Sequence, residues 1–134
     1  MHLVSGEFEI ASWDEDTCQE LAGGGKMTRA TVTQRYTGGL AGDAAAESVM
    51  SYLPDGTARF LGYQRVEGTL GDRTGSLVLE STGEFRDGVA AGRLAVVAGS
   101  GTGELAGLRG EGRWEAPSGT RGTFRLEYSF EPAG

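Results

Sequence analysis

Hydrophobic and polar residues alternate along most of this chain, and short glycine-containing breaks separate the alternating runs. Side chains of a β-strand point alternately to opposite faces, so a two-residue period predicts strands that bury one face. Almost none of the runs has the period of an amphipathic helix. The pattern predicts eight strands, at residues 3–13, 27–37, 43–53, 57–70, 75–85, 89–98, 109–116 and 121–131.

Two segments interrupt the alternation. Residues 14–25 contain a consecutive acidic run and three consecutive glycines, and we expect a long loop there with one helical turn. We interpret the acidic run as a solvated bend. Residues 99–108 form the second irregular loop, a plug or a lid in which Leu105 and Leu108 are expected to turn inward.

Glycine-rich segments in a fixed order carry a family resemblance over almost the whole chain. They are Gly99 to Gly112, Gly23 to Ala30, Asp55 to Ala58 with Gly62, Gly68 to Leu70, and Gly75-Ser76. The chain resembles an uncharacterised bacterial family whose members form small barrels of the allene oxide cyclase type, distant relatives of the calycins. The resemblance implies an all-β fold, an eight-stranded antiparallel barrel of allene oxide cyclase-like and calycin-like type, with irregular loops at 14–25 and 99–108.

Composition and charge narrow the classes of protein. The 134 residues fit one domain, residues 1–134, by the usual prior of ~100–200 residues. A formal net charge of −7 disfavours nucleic acid and anionic membranes as partners. With no apolar run of ~18 residues and no targeting pattern, we expect a cytoplasmic protein. Cys18 is the only cysteine, so neither an intramolecular disulfide nor a cysteine metal site is expected.

The turn at Leu53-Pro54-Asp55-Gly56-Thr57 sets the register of the central strands. Its Pro-Asp-Gly sequence favours a three-residue hairpin loop, which places Tyr52 opposite Ala58. Extending this register pairs Met50 with Phe60, Ser48 with Gly62 and Ala46 with Gln64. A four-residue turn after Leu70 then places Gln64 opposite Ser81, Val66 opposite Leu79, Gly68 opposite Leu77, and Arg65 opposite Glu80 as an ion pair.

A second register stays open. A two-residue loop at Pro54 would turn Glu47 inward beside Gln64, in the middle of the barrel. Burial raises the pKa of a glutamate and makes it a plausible proton carrier, so this register would favour acid–base chemistry.

In the first register one continuous face forms the barrel lining, with polar side chains among aromatic and small ones. An eight-stranded barrel either fills with side chains or holds one small ligand, and both readings stay open. If it holds a ligand, the candidate ligand-binding residues are Gln64, Tyr52, Ser81, Ser48, Tyr36, Phe60, Trp114 and Tyr128.

Catalytic machinery is not recognisable in the sequence. The only histidine, His2, lies at the terminus, and the register turns no pair of carboxylates inward. The glycine-rich stretch at 99–112 lacks the Gly-Lys-Ser/Thr of a phosphate loop, and Glu104 is expected to pair with Arg109 there. Catalytic residues are therefore unknown, and neither a cofactor nor a metal is expected.

Two classes of function follow. The first is a cofactor-free cyclase or isomerase that holds a hydrophobic metabolite in a reactive conformation, as the resemblance to allene oxide cyclases implies. The second is a non-catalytic carrier or binding protein for a lipophilic ligand, and a closed barrel without ligand is a third. An outward apolar patch, Val78, Ala95, Val97, Val89 and Ala91, further predicts a homo-oligomer, with a dimer favoured, through strands 75–85 and 89–98.

Overall fold

A computed structural model describes residues 1–117 and 120–131, and their fold is a closed antiparallel β-barrel. Each strand pairs with the next in chain order, and β1 pairs with β8 to close the ring. The all-β, eight-stranded prediction is thereby confirmed. The strands are β1 (His2–Glu20), β2 (Lys26–Gly38), β3 (Leu40–Tyr52), β4 (Ala58–Leu70), β5 (Arg73–Arg86), β6 (Val89–Val96), β7 (Leu108–Ala116) and β8 (Arg121–Phe130).

The hairpin between β3 and β4 has the predicted three-residue loop. Tyr52 lies opposite Ala58, and the amide of Leu53 donates to the carbonyl of Thr57 at 2.8 Å. This register turns Glu47 to the outside, where its carboxylate accepts from Thr31 at 3.1 Å. The alternative with an inward Glu47 is therefore wrong.

The next turn, between β4 and β5, is shorter than predicted. Leu70 pairs with Arg73, so the loop has two residues, and Gly71 at φ +61° supplies the left-handed conformation that such a turn requires. The register moves by two residues, which keeps every side chain on its predicted face because the period is two. Partners change accordingly: Gln64 lies opposite Leu79, Ser81 opposite Gly62, Val66 opposite Leu77 and Gly68 opposite Gly75.

The predicted ion pair between Arg65 and Glu80 is wrong for the same reason. Arg65 lies opposite Val78 and bonds to Glu67 at 3.2 Å, while Glu80 lies opposite Tyr63 and accepts from its hydroxyl at 3.2 Å.

β1 continues through residues 14–20, where the sequence predicted a loop. This part pairs with β2, and the ladder shifts register between Ile10 and Ser12 and again between Thr17 and Gln19. An extra residue in one strand exchanges the strand's two faces. Inward positions are therefore even-numbered up to Ile10 and odd-numbered from Trp13 to Thr17. The predicted loop at 14–25 shrinks to residues 21–25.

One end of the barrel is closed by the segment between β6 and β7. A single 3-10 turn, Gly103–Leu105, carries Leu105 into the core, and Leu105 and Leu108 are almost fully buried, as predicted. The predicted contact between Glu104 and Arg109 is wrong. Glu104 accepts from the backbone amide of Thr74 at 3.0 Å, and Arg109 forms an ion pair with Glu131.

The outer surface differs from the predicted apolar patch. Val78 and Val97 are half-buried because the chain after β6 lies over them, with the amide of Val97 donating to the carbonyl of Val78 at 2.9 Å. Large exposed apolar side chains lie instead on β3 and β4, at Val49, Leu61 and Tyr63. No helix among residues 1–117 and 120–131 is long and apolar enough to cross a membrane.

Candidate functional site

The barrel encloses a cavity of about 310 Å³ in the half away from the plug. Side chains of strands β1 to β7 line it, and most of its lining is apolar. At the open end the rim includes exposed Trp13 and Phe85, so the cavity meets solvent there. At the other end the leucine-rich core and the plug close the barrel. The reading that side chains fill the whole barrel therefore fails.

The inner end of the cavity is polar. The hydroxyl of Tyr36 donates to the Oε1 atom of Gln64 at 2.7 Å, and both side chains are buried. Burial raises the pKa of Tyr36 far above its ordinary value, so the phenol stays protonated and remains a donor. Among the described residues the side-chain nitrogen of Gln64 has no hydrogen-bond partner, which leaves an amide donor at the end of the cavity.

Aromatic rings form the walls. Trp114 lies 5.6 Å from Phe60 and 6.1 Å from Phe8, measured between ring centroids. Gly83 lets the rings approach the backbone, because a Cβ atom there would lie 2.8 Å from the Cζ2 atom of Trp114. The indole nitrogen of Trp114 is buried and lacks a partner within the described part of the chain. An unpaired buried donor costs about 1–3 kcal/mol, so this wall too presents an unsatisfied donor.

A carboxylate lies at the rim. Glu15 accepts three hydrogen bonds, from the hydroxyls of Thr28 and Tyr52, each at 2.7 Å, and from the indole nitrogen of Trp13 at 2.9 Å. The bulge after Ile10 places Glu15 opposite the buried Ala30, on the inner face. The rim therefore combines one carboxylate with the rings of Trp13 and Tyr52.

Glu15 and Tyr52 both keep their ordinary protonation state at neutral pH. Partial burial raises the pKa of Glu15, but the hydrogen bonds from Thr28, Tyr52 and Trp13, together with the charge of Lys26, outweigh it and bring the pKa below its ordinary value. Burial, together with the hydrogen bond to Glu15, raises the pKa of Tyr52 to about 12. Glu15 is thus a carboxylate and Tyr52 a neutral phenol, and neither is poised to exchange a proton near pH 7.

The predicted site residues gather in this half of the barrel, with one exception. Gln64, Tyr52, Ser81, Ser48, Tyr36, Phe60 and Trp114 all line the cavity. Tyr128 does not, because it lies towards the plugged end, where its ring stacks on His2 at 5.1 Å and packs against Phe130 at 6.0 Å. The sequence placed Tyr128 on the correct face of β8 but could not place it along the barrel axis.

Sequence reasoning missed three residues of the rim, Trp13, Glu15 and Thr28. An unbroken even-numbered inner face on β1 excluded the first two. One signal was present, since the large apolar positions change from even-numbered Phe8 and Ile10 to odd-numbered Trp13. Such a change of parity within a strand indicates a bulge.

Other depressions lie on the outer surface. One of about 840 Å³ borders β1 to β4 and β8, and its lining includes three pairs of oppositely charged side chains. These pairs are Arg35 with Asp43 at 3.2 Å, Arg65 with Glu67 at 3.2 Å and Arg121 with Glu9 at 2.8 Å. This depression is larger than the barrel cavity, but charged side chains line it, whereas the described residues that line the barrel cavity include none. We therefore place the candidate site in the barrel.

Fold and site together define a closed antiparallel barrel with an apolar cavity open at one end. The chain belongs to the family described as Protein of unknown function (DUF3224), which matches residues 4–128. It is similar to the crystal structure of a protein with unknown function from the DUF3224 family of Shewanella oneidensis MR-1, with 28% identity, coverage of 99% of each chain and a TM-score of 0.85. The comparison with curated proteins gave no match.

The predicted membership of an uncharacterised family is thereby confirmed. The more distant relation to allene oxide cyclase barrels stays a prediction.

Proposed function

We propose that this protein binds a small lipophilic molecule in the barrel cavity, as a carrier or binding protein. The observation that carries the proposal is a mostly apolar cavity that is closed at one end, open at the other, and equipped with a few polar groups. Small-molecule sites generally have this composition. Of these polar groups, the amide nitrogen of Gln64 and the nearby indole nitrogen of Trp114 lack a hydrogen-bond partner among the residues that the structure describes. A hydroxyl or carbonyl oxygen at the buried end of a ligand would give these donors an acceptor.

The size of the cavity limits the ligand. A volume of about 310 Å³ is near the lower end of the range for ligand sites, roughly 300–1,000 Å³. At ~30 Å³ for each water-sized group, it holds about ten non-hydrogen atoms. A medium-chain alcohol fits this limit, whereas a long-chain lipid would extend through the rim into solvent.

A cofactor-free cyclase or isomerase is the second candidate. Its supporting observation is the same cavity, whose aromatic walls would hold a flexible substrate in one conformation. We rank it below binding because Tyr52 keeps its proton and Glu15 stays ionised at neutral pH. Recovery of a ligand chemically unchanged after prolonged incubation supports binding, and a rearranged product would support the cyclase.

We keep the cytoplasm as the proposed location of the protein.

We expect 1-octanol, with nine non-hydrogen atoms, to bind and to raise the thermal unfolding midpoint as its concentration increases. Ala46 faces the cavity and Ala45 faces outward on the same strand. Ala46→Leu should therefore abolish octanol binding by filling the cavity, while Ala45→Leu leaves it intact. Isothermal titration calorimetry on the three proteins measures this directly. Equal octanol affinities for both variants, or no binding to the wild type up to the solubility limit, would contradict the proposal.

We also propose a homodimer through the outer face of β5 to β8. Arg93 lies opposite Arg113, and Arg113 opposite Arg125, in one row across β6, β7 and β8. Within the described ranges, none of the three has an ion-pair partner. The neighbouring row contains Glu111 opposite Glu127. A two-fold axis between the rows would place the arginines of one copy against the glutamates of the other, as an isologous contact requires.

The available area is consistent with a weak dimer. Eight residues of β6 at ~3.4 Å each, and four strands ~4.8 Å apart, give a face of roughly 27 Å by 19 Å. Two such faces bury roughly 1,000 Å², near the lower limit for a specific interface.

We expect sedimentation equilibrium at ~100 μM to show a dimer that dissociates in high salt, because salt screens exposed ion pairs. Arg113→Glu should produce a monomer. The double variant Glu111→Arg with Arg113→Glu exchanges the two charges and should restore the dimer. A strict monomer of the wild type at this concentration would contradict the dimer.

A further inference from the structure

The cavity rim combines features that recognise a cation. Glu15 is the charged group bonded directly to the cavity-lining side chains of Tyr52 and Trp13. Its three donors hold the carboxylate in one place without neutralising it, since hydroxyl and indole groups carry no charge. The cation that acts on Glu15 is the ammonium group of Lys26, whose side chain is exposed. A ligand that passes through the rim therefore meets a fixed negative charge.

The aromatic rings at the rim add to this attraction. The negative face of an aromatic ring attracts cations within about 6 Å of its centroid. The ammonium group of Lys26 already lies 5.2 Å from the centroid of Tyr52. This contact shows that the Tyr52 ring accepts an ammonium group, and Lys26 is exposed, so its flexible side chain can move aside.

We propose that the rim binds the protonated amine of an amphiphilic ligand whose apolar chain occupies the cavity. This proposal rests on the proposed function and names the chemical class of its ligand as a small alkylammonium. The ammonium group would lie between the carboxylate of Glu15 and the rings of Trp13 and Tyr52.

The charges of the protein favour this class over a fatty acid. A carboxylate ligand would meet like charge from Glu15 and from a protein of formal net charge −7. A neutral alcohol would gain the apolar contacts and one neutral hydrogen bond, but not the contact between opposite charges, which is the stronger of the two. We therefore expect the affinities of three ligands with the same eight-carbon chain to differ. Octylammonium should bind most tightly, 1-octanol less tightly and octanoate least tightly.

Calorimetric titration of the wild type with these three compounds at pH 7 and low salt tests the ranking. We expect octylammonium to bind about five- to tenfold more tightly than octanol, the range for one partly exposed ion pair with a cation–π contact. High salt should reduce this preference and leave the octanol affinity unchanged.

Two variants assign the effect to the rim. Glu15→Gln should remove the preference for octylammonium and keep octanol affinity within about twofold of the wild type. Asp16→Asn is the matched control, because it removes the same charge from the next, exposed residue and should keep the preference. Lys26→Met removes the competing ammonium group and should strengthen octylammonium binding. This third variant leaves Glu15 and its hydrogen bonds in place, so it decides the question if Glu15→Gln does not fold.

The outcomes separate the two proposals. If octanol binds and octylammonium binds no more tightly, the rim proposal is overturned and the cavity proposal stands. If Asp16→Asn removes the preference as fully as Glu15→Gln, the effect comes from net charge, and the rim proposal is again overturned. If none of the three compounds binds, both proposals fall.

Discussion

Leu105→Ala is expected to lower the free energy of unfolding by about 2–5 kcal/mol, the largest effect of any single truncation that we predict here. Leu105 has no exposed surface and packs in the leucine-rich core at the closed end of the barrel. Truncation removes buried methyl groups and leaves a cavity among well-packed neighbours, which relax only partly. Urea denaturation followed by circular dichroism measures the change.

The exposed neighbour Ala106 provides the control, since Ala106→Ser should change the free energy of unfolding by less than about 0.5 kcal/mol. Octanol affinity should survive Leu105→Ala under conditions in which the variant is folded, because Tyr36 and Gln64 form the inner end of the cavity. A loss of stability below about 1 kcal/mol would show that the 3-10 turn is only a surface loop.

The face that each central strand turns inward could be predicted from the sequence, for a local reason. Pro-Asp-Gly specifies one hairpin geometry at residues 54–56, and the two-residue period carries that geometry along β3 and β4. The turn at Gly71 is two residues shorter than predicted, which changes the partners of β4 by two positions. Because side chains alternate with a period of two, Gln64 and Ser81 still face inward as predicted. Most of the candidate residues therefore line the cavity, although the predicted partners between β4 and β5 were wrong.

The rim could not be predicted in the same way. The bulge between Ile10 and Ser12 exchanges the faces of β1, and no turn residue announces it. The acidic run at residues 14–16 indicates a solvated bend when it is read locally. Only the pairing with β2 shows that Glu15 faces inward, opposite Ala30. The position of a residue along the barrel axis also depends on pairing between strands, because it is set by how far neighbouring strands are shifted against each other. Tyr128 was therefore predicted on the correct face of β8 but at the wrong end of the barrel.

Small residues in the barrel lining have two roles that the sequence could not separate. At Gly83 the missing side chain makes room for the rings of Trp114 and Phe60, so this glycine relieves crowding. Ala46 and Ser48 border the cavity itself, and their small side chains leave space for a ligand. Gly83 therefore relieves crowding, whereas Ala46 and Ser48 border the cavity in which we propose a ligand.

Gln64→Leu is expected to lower the free energy of unfolding by about 1–3 kcal/mol and to weaken octanol binding. The substitution removes the acceptor of the Tyr36 hydroxyl, which is buried and has no other partner among the described residues. Tyr36→Phe combined with Gln64→Leu removes both polar groups, so its cost should be smaller than the sum of the single costs. Gln34→Leu is the control, because Gln34 lines the same cavity and is only half-buried.

Gln64→Glu should destabilise the protein more than Gln64→Leu at pH 7, and the excess should depend on pH. A carboxyl group at this buried position has a raised pKa in the folded state, whereas its pKa in the unfolded chain is about 4.3. Below that value both states are protonated and the penalty is absent. The penalty grows as the pH rises from about 4.3 and is complete above the folded-state pKa. Urea denaturation of the variant and the wild type between pH 4 and pH 8 follows the difference. A difference that stays constant across this range would show that position 64 is solvated, and the inner end of the cavity would then have to be redrawn.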